Sequence, residues 1–522
     1  MQKLKLFKKS FLKKLFFICF SLFLGFSFLN LSNSNVYSVK NNPDAKNKNF
    51  ESKNLSQPEA SFSNEENVDF NNEVNFHQSP SDITTNFINE DLDSQVRDTS
   101  DFGEITTIDG EKLNPELVFS TFCTSENTVF ITGVSSQYKD FLYKIKIPKY
   151  FQKDGKLLPI VNIGDGVFLE CRNLESVVVS DAIISLGNDV FRDCRKLVNV
   201  FLPSSVKFMG KKLFANCLSL SNICLPNFIT SIEDFMFYNC TTLKEVFLPS
   251  LITDIGNNAF SKCLSLKSII LPDSLVSIGK SAFAECFSLE TISLPSSITS
   301  MGKEVFFKCK NLSSVHLPNF ITSIKESVFR GCVKLESIVV PNAVTKIDSG
   351  VFEGCSNLSY IQLPDSITVI GVRAFSWCSK LENITLPKFI TEVEPGAFFC
   401  CESLKRVVIP DSVVNIKSQS FKNCYNLETV SFPESVIFIE YSAFCNCYKL
   451  GKIFLPPFVK YIENLAFANC KNLKIDELPN SIKKIEKGSF YNCDKFNVNI
   501  KNQVKKIFPE SFNNNIKIFL KV

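Results

Sequence analysis

Cysteine is the residue type in this chain that could carry chemistry, and its spacing says which chemistry. Of 20 cysteines, fifteen, Cys171 to Cys493, recur every 23 residues, each with a phenylalanine three places before it. A thiol can bridge to another, ligate a metal as its thiolate, or act as a nucleophile. Residues at one phase of a stacked repeat lie above one another about 4.8 Å apart with parallel side chains. A disulfide needs Cβ atoms roughly 3.8 Å apart and turned toward each other. The fifteen are therefore expected as a column of reduced, packed thiols behaving as small hydrophobes. Five cysteines lie off this phase: Cys19, Cys123, Cys224, Cys400 and Cys445. Cys400-Cys401 and Cys445-Asn446-Cys447 invite a metal reading, but in each pair one member is an inward frame residue, so both thiolates do not converge. The chain has two histidines, His77 and His316, and no GxxxxGK[ST], GxGxxG or HExxH. Its carboxylates are scattered over loops rather than paired in one recess. No catalytic residue, metal or cofactor is expected, and the protein reads as a non-enzyme.

The elements that hold this column follow from the rest of the repeat. One copy, Leu266 to Leu289, reads LKSIILPDSLVSIGKSAFAECFSL. Counted from the cysteine, the frame carries Phe at −3, Leu at +3, an aliphatic residue at +6, a large apolar residue at +8, Pro at +9, and aliphatic residues at +12 and +15. Positions +6 and +8 point inward and +5 and +7 outward, the period-two alternation of a half-buried strand. Proline at +9, unbroken from Pro203 to Pro479, donates no ladder hydrogen bond and ends the strand there. Gly164, Gly187, Gly256, Gly279 and Gly371 mark the next corner. The SAFAEC-like stretch is too short for a standing α-helix and is expected as a single helical or 3₁₀ turn that plugs Phe and Cys inward. A fixed period in this range means one supersecondary unit stacked many times, because a single unit cannot bury its apolar face. The fold class expected is α/β, a right-handed curved solenoid (horseshoe), mostly β with short helical or 3₁₀ turns.

The frame resembles the BspA-type leucine-rich repeat. Ala282-Phe283 with Cys286, Leu289, Ile292 and Leu294-Pro295, and Ser277-Ile278-Gly279 carry the resemblance, repeated from about Tyr143 to the C-terminus. The strand Thr128 to Gly133, then Tyr143 to Ile147 and the insertion up to Gly164, resemble the hairpin cap that opens such arrays. The resemblance implies a leucine-rich-repeat horseshoe, surface display and adhesion to host proteins, host cells or other microbes.

Length gives no domain count here, since a solenoid grows without one central core. Six lysines in the first fourteen residues, then the apolar run Leu15 to Leu31, make a secretory start. Residues 1–38 are read as a signal peptide or an uncleaved N-terminal membrane anchor. Residues 39–102, rich in Asn, Ser, Asp and Glu, are expected as a disordered polar linker. Residues 103–165 form the N-terminal cap with its β-hairpin, and 166–522 the array, about fifteen to sixteen coils with a C-terminal cap ending in the strand IKIFLKV. With 57 basic and 53 acidic residues and a net charge of +4, no basic stripe beyond the N-terminus suggests nucleic acid.

The expected binding surface is the outward strand face, the concave side of such an array. The +7 column runs Val178, Phe201, Cys224, Phe247, Ile270, Ser293, His316, Val339, Gln362, Thr385, Val408, Ser431, Phe454. An apolar row on a face that meets water marks an interaction patch, or else follows from β-propensity in a phenylalanine-rich chain. Candidate contacts for a protein or glycoprotein ligand are Phe201, Phe247, Ile270, His316, Phe454 and, from the +5 column, Tyr360 and Arg406. The large side chains at +11, Phe228, Leu251, Phe320, Phe389 and Phe458, are expected to pack. The rival to an adhesin is a scaffold joining partners of the same organism or itself.

Overall fold

Most coils begin with a strand of three residues whose middle side chain is buried. Asn199–Phe201, Thr291–Ser293, Ser337–Val339 and Thr429–Ser431 all show this pattern, with an aliphatic residue inward and polar or apolar residues outward. The computed structural model describes residues 103–512; the readings of 1–38, of 39–102 and of the strand IKIFLKV lie outside the described residues. Strands of adjacent coils pair in parallel one repeat apart, as in Val177↔Val200, Ile292↔Val315 and Val407↔Val430, in short runs separated by breaks such as the coil of Ile270. This front ladder stops at the proline. The chain then turns into a back ladder of two-residue strands, such as Asp254–Ile255, Ser277–Ile278 and Ser300–Met301, again paired in parallel from one repeat to the next. The chain is a β-solenoid of about 14 turns with little helix.

The third side of the coil differs in detail from the short helical turn expected of SAFAEC. It closes separate i→i−3 bonds, as in Ala284 N–H to the carbonyl of Ser281 at 3.1 Å and Cys286 N–H to that of Phe283 at 3.3 Å, but left-handed residues stop them from running on as a helix. Two positions per coil, −5 and −1, have φ between 53° and 78° throughout: Ser281 (54°) and Glu285 (59°) in this copy, Arg373 (54°) and Trp377 (64°) in another. A left-handed non-glycine residue costs about 1–2 kcal/mol. The offset is a third ladder. The flips turn alternate amides the same way, so that N–H of Ser281, Phe283 and Glu285 donate to the carbonyls of Lys303, Val305 and Phe307 of the next coil at 2.7–3.0 Å. Asn at −1 tolerates this conformation and adds an amide ladder, Asn469 Nδ2 donating to Asn446 Oδ1 and Asn446 Nδ2 to Asn423 Oδ1, both at 2.7 Å. Glycine at the corner after +15 serves close approach instead: a Cβ on Gly210 would lie 2.5 Å from the carbonyl of Gly187.

Inside these three walls run two columns. Fifteen phenylalanine rings from Phe168 to Phe490 stack nearly parallel, with centroids 5.2–5.9 Å apart and every member buried. Beside them lies the thiol column. Cys309 Sγ–H donates to the carbonyl of Phe283 at 3.1 Å, Cys332 to Phe306 at 3.2 Å, and so on in each coil from Cys194 to Cys493.

The ends are closed by elements outside the repeat. Glu104–Thr107 pairs antiparallel with Leu142–Lys146, which pairs in parallel with Ser176–Val178 and so starts the front ladder. The hairpin Phe119–Cys123 and Val129–Val134 starts the back ladder through Lys156–Ile163. The Phe119 ring meets Phe168 edge-on at 6.0 Å. At the far end a ten-residue helix, Val498–Ile507, is capped by Asn497, whose Oδ1 accepts from Asn499 N–H at 2.9 Å, and buries Ile500 and Val504. Phe496 and Phe512 cover the last ring, Phe490. Both devices cover edges that would otherwise template pairing with another chain. Among the described residues no helix is long and apolar enough to cross a membrane.

Phe283, between rings at 5.3 and 5.9 Å, tests the column. Phe283→Ala should cost about 3–5 kcal/mol, since the ladders on either side hold the cavity open. A melting temperature equal to that of the parent and an unchanged limited-proteolysis pattern would contradict this burial.

Candidate functional site: the front strand face

Outward positions of the front ladder carry the candidate residues because their neighbours at +6 are drawn inward. Ile270 stands 80% exposed, Phe454 74% and Phe201 37%. His316, Tyr360 and Arg406 are exposed as well, and Phe247 is half-buried, so it is a weaker anchor than its place in the column suggests. The structure brings Phe201, Cys224, Phe247 and Ile270 into consecutive coils. His316 and Tyr360 stand two coils apart along the same face. Arg406 and Phe454 share a shallow groove of about 470 Å³ with Val408, Thr429, Ser431 and Phe432. The Lys452 ammonium lies 4.9 Å from the centroid of Phe454 and 2.6 Å from Asp476, which fixes the cation at the groove's edge.

Two features escape a coil-by-coil reading. Large side chains at +11 do not pack: Phe320 is 66% exposed, and Phe228, Leu251, Phe389 and Phe458 also protrude. Where +11 is serine, its hydroxyl donates to a carbonyl of the preceding coil at 2.6–2.7 Å, as in Ser274 to Ile252 and Ser366 to Val344. Serine thus fastens coil to coil at that corner, whereas Phe or Leu projects from it. The second feature is a longer period. Leu251, Phe320, Phe389 and Phe458 recur every third coil, and so do Phe201, Ile270, Val339 and Val408 at +7. The last two are exposed large apolar side chains that the candidate set lacked; comparing every third coil would have found them.

Thiol chemistry is suppressed by placement. Every described cysteine is free, and the frame cysteines are buried. Burial pushes the thiols of Cys240, Cys286 and Cys355 up to about 12. The adjacent pair Cys400 and Cys401 divides its contacts: Cys400 Sγ accepts from Asn423 Nδ2 at 3.3 Å, while Cys401 Sγ donates to the carbonyl of Phe375 at 3.1 Å. Among the described residues no group of three or more His, Cys, Asp or Glu side chains is placed to hold a metal.

A solenoid whose frame, three ladders and two columns repeat with one period has counterparts among known proteins. The sequence profile of the BspA type leucine rich repeat region (6 copies) matches residues 161–290, 276–405 and 391–519, more than half of the chain. The chain belongs to this family. A leucine-rich repeat protein from Bacteroides ovatus, of known structure, is 25% identical with a TM-score of 0.52, the match covering 76% of this chain and 97% of that one. A leucine rich cell surface protein from Faecalibacterium prausnitzii is 28% identical over 64% of this chain and 92% of that one, with a TM-score of 0.41. No curated protein sequence matches the chain. The BspA-type frame accounts for the inward residues and leaves the outward ones free to vary, so the character of the site lies in +5, +7 and +11.

The buried thiols also set a pH limit on the BspA-type array. A thiol whose folded pKa is raised above its unfolded value, near 9, contributes stability that is present below about pH 9 and lost as pH rises toward the folded value. Above pH 9 each such thiol favours the unfolded chain by about 1.4 kcal/mol per pH unit. A handful exceed the roughly 5–15 kcal/mol typical of a folded domain. The array should therefore unfold cooperatively between about pH 9 and pH 11, with thiolate absorbance appearing in the same step as loss of the circular dichroism signal. Gradual thiolate formation in a protein that keeps its secondary structure would contradict the buried column.

Proposed function

We propose that this BspA-type protein is secreted or displayed at the cell surface and acts, without catalysis, as an adhesin that binds a protein or glycoprotein through its front strand face. The observation that carries this reading is the row of large apolar side chains at outward positions, with Ile270 and Phe454 the two most exposed large apolar residues among those described. Such side chains gain about 1.5–3 kcal/mol each on burial, and aromatic and aliphatic anchors surrounded by polar residues are the usual centre of an interface. Serine, threonine, His316 and Gln362 between them supply hydrogen-bonding groups. The apolar N-terminal cluster and the groove of Arg406 and Phe454 give the face two centres of attachment. Support for a non-catalytic role comes from two places: His316 is exposed on a strand, and the frame thiols lie buried in the interior.

Replacing Ile270 and Phe454 together by Ser should weaken attachment of the full chain to immobilised extracellular matrix, host cells or microbial cells by at least ten-fold. The melting temperature should stay within about 2 °C, because both side chains lie outside the core. Ser293→Ala with Gln362→Ala is the control on the same face. Equal loss in both variants, or none in either, would remove the apolar row as the site.

A further inference from the structure

Lysine gathers at one end of the array. Residues 449–512 hold twelve lysines, no arginine and six carboxylates, a net charge of +6, whereas residues 103–448 hold 32 basic and 34 acidic side chains, a net charge of −2. We propose that this basic end is a second binding surface, separate from the front face, and that its ligand is an acidic polysaccharide, a sugar chain bearing sulfate or uronate groups.

The fold brings these lysines together. Lys483 N–H donates to the carbonyl of Lys460 at 2.9 Å, so the two stand in adjoining coils at the start of the back-ladder strands. Gly488 N–H donates to the carbonyl of Glu510 at 3.0 Å, the same 22-residue step as Phe235 to Asn257, so the coil register is regained just past the closing helix and sets Lys505 and Lys506 in the layer beyond Lys483. Lys501 and Lys505 lie 5.3 and 5.9 Å from the centroid of Phe512, over the end of the ring column. Of the twelve, only Lys452 and Lys484 form ion pairs, with Asp476 and Glu486. Glu463 accepts Tyr441 N–H at 2.9 Å, and Glu477, Asp494 and Glu510 are too few to balance the rest. Lysines in adjoining coils are separated by about 4.8 Å along the stack while charges are screened over about 8 Å at physiological salt, so their fields add and they repel one another. A polyanion is drawn to that field and relieves the repulsion.

The surroundings choose the class of polyanion. The helix Val498–Ile507 has no carboxylate and exposes Asn499, Asn502 and Gln503 among its lysines, amides that both donate to and accept from sugar hydroxyls. A bilayer asks for an apolar stripe. The exposed Val498 and Ile507 lie nine residues apart, which sets them on opposite sides of the helix. Nucleic acid favours arginine forks for phosphate and open rings for its bases. Here arginine is absent, and Tyr448 is stacked on Tyr425 with the Lys471 ammonium 5.6 Å from its centroid.

Surface plasmon resonance of the full chain on immobilised heparin tests this. The parent should bind, with affinity falling at least ten-fold as salt rises from about 0.15 M to about 0.5 M. Lys483→Gln, Lys505→Gln and Lys506→Gln together should weaken binding at least ten-fold and leave the melting temperature within about 2 °C, since all three side chains are exposed. The same change at Lys244, Lys267 and Lys325, exposed lysines of earlier coils, should leave affinity within about two-fold. Ile270→Ser with Phe454→Ser should leave it there too, because the front face is a separate surface. No binding to heparin, or equal loss in the two triple variants, overturns the proposal. So does single-stranded DNA or a phosphatidylserine vesicle held as tightly as heparin, which would make the end a site for any polyanion.

Discussion

The carbonyl oxygen of each frame phenylalanine is where one coil is fastened to the next. It accepts the N–H of its own cysteine three places on and the Sγ–H of the cysteine one coil further. A buried carbonyl has two lone pairs, and leaving one unmet costs free energy in a dry interior. Serine at the thiol position could donate too, but it would bring a stronger polar group into a column walled by phenylalanine and leucine. Alanine would fill less space and leave the lone pair bare. A thiol is apolar enough to pack and polar enough to donate weakly, which explains a cysteine in every coil of a chain with no disulfide among its described residues. Burial holds thiols such as Cys240 and Cys286 protonated and the bond keeps the sulfur engaged, so the chemistry that cysteine could do is withdrawn from use.

Much of this is legible in the sequence. The regular spacing of Phe and Cys, the period-two alternation around Ile292 and the proline at +9 specify strand, turn and stack without reference to any structure. The reduced state of the column follows from geometry as well. What the sequence does not display is the conformation of the third side. Residues as unlike as Ser281, Phe235, Trp377 and Lys262 all occupy left-handed positions; side-chain type gives little sign of a backbone flip whose offset lies in hydrogen bonds to another coil. The helix Val498–Ile507 is hidden for a related reason, since it replaces a coil at an edge where the repeat frame has already decayed, Phe496 standing where leucine should be.

On the candidate site the sequence places the residues and misjudges their weights. Tyr360, Arg406 and His316 face outward as the alternation requires. Phe247 is partly covered, while Val339 and Val408, smaller and less conspicuous in the column, are well exposed. The +11 row misleads because a large apolar residue beside a turn ordinarily packs. Here the coil has no room for it: the inward side is already filled by the aliphatic residue at +12, as with Ile321 and Ile390, both buried. Phe320 and Phe389 therefore project, and the carbonyl that serine would have met is left to solvent or partner.

The three-coil period separates two demands that a simple repeat cannot meet together. Every coil must present the same inward surface, or the Phe stack and thiol column break, and so the inward positions recur in every coil. A face that distinguishes partners needs features spaced further apart than one coil, since identical side chains every ~4.8 Å make a uniform stripe that fits any extended apolar partner. Recurrence at every third coil, as in Ile270, Val339 and Val408, spaces these outward apolar residues about 14 Å apart, with Ser293, His316, Gln362 and Thr385 between them. The charged positions break even that regularity: Lys267, Glu290, Lys405 and Glu428 follow no fixed interval of coils. Periodic apolar residues supply affinity that tolerates a slip by one unit, while aperiodic charges penalise the slip. Charges at irregular intervals thus distinguish positions along the face that the recurring apolar residues leave alike.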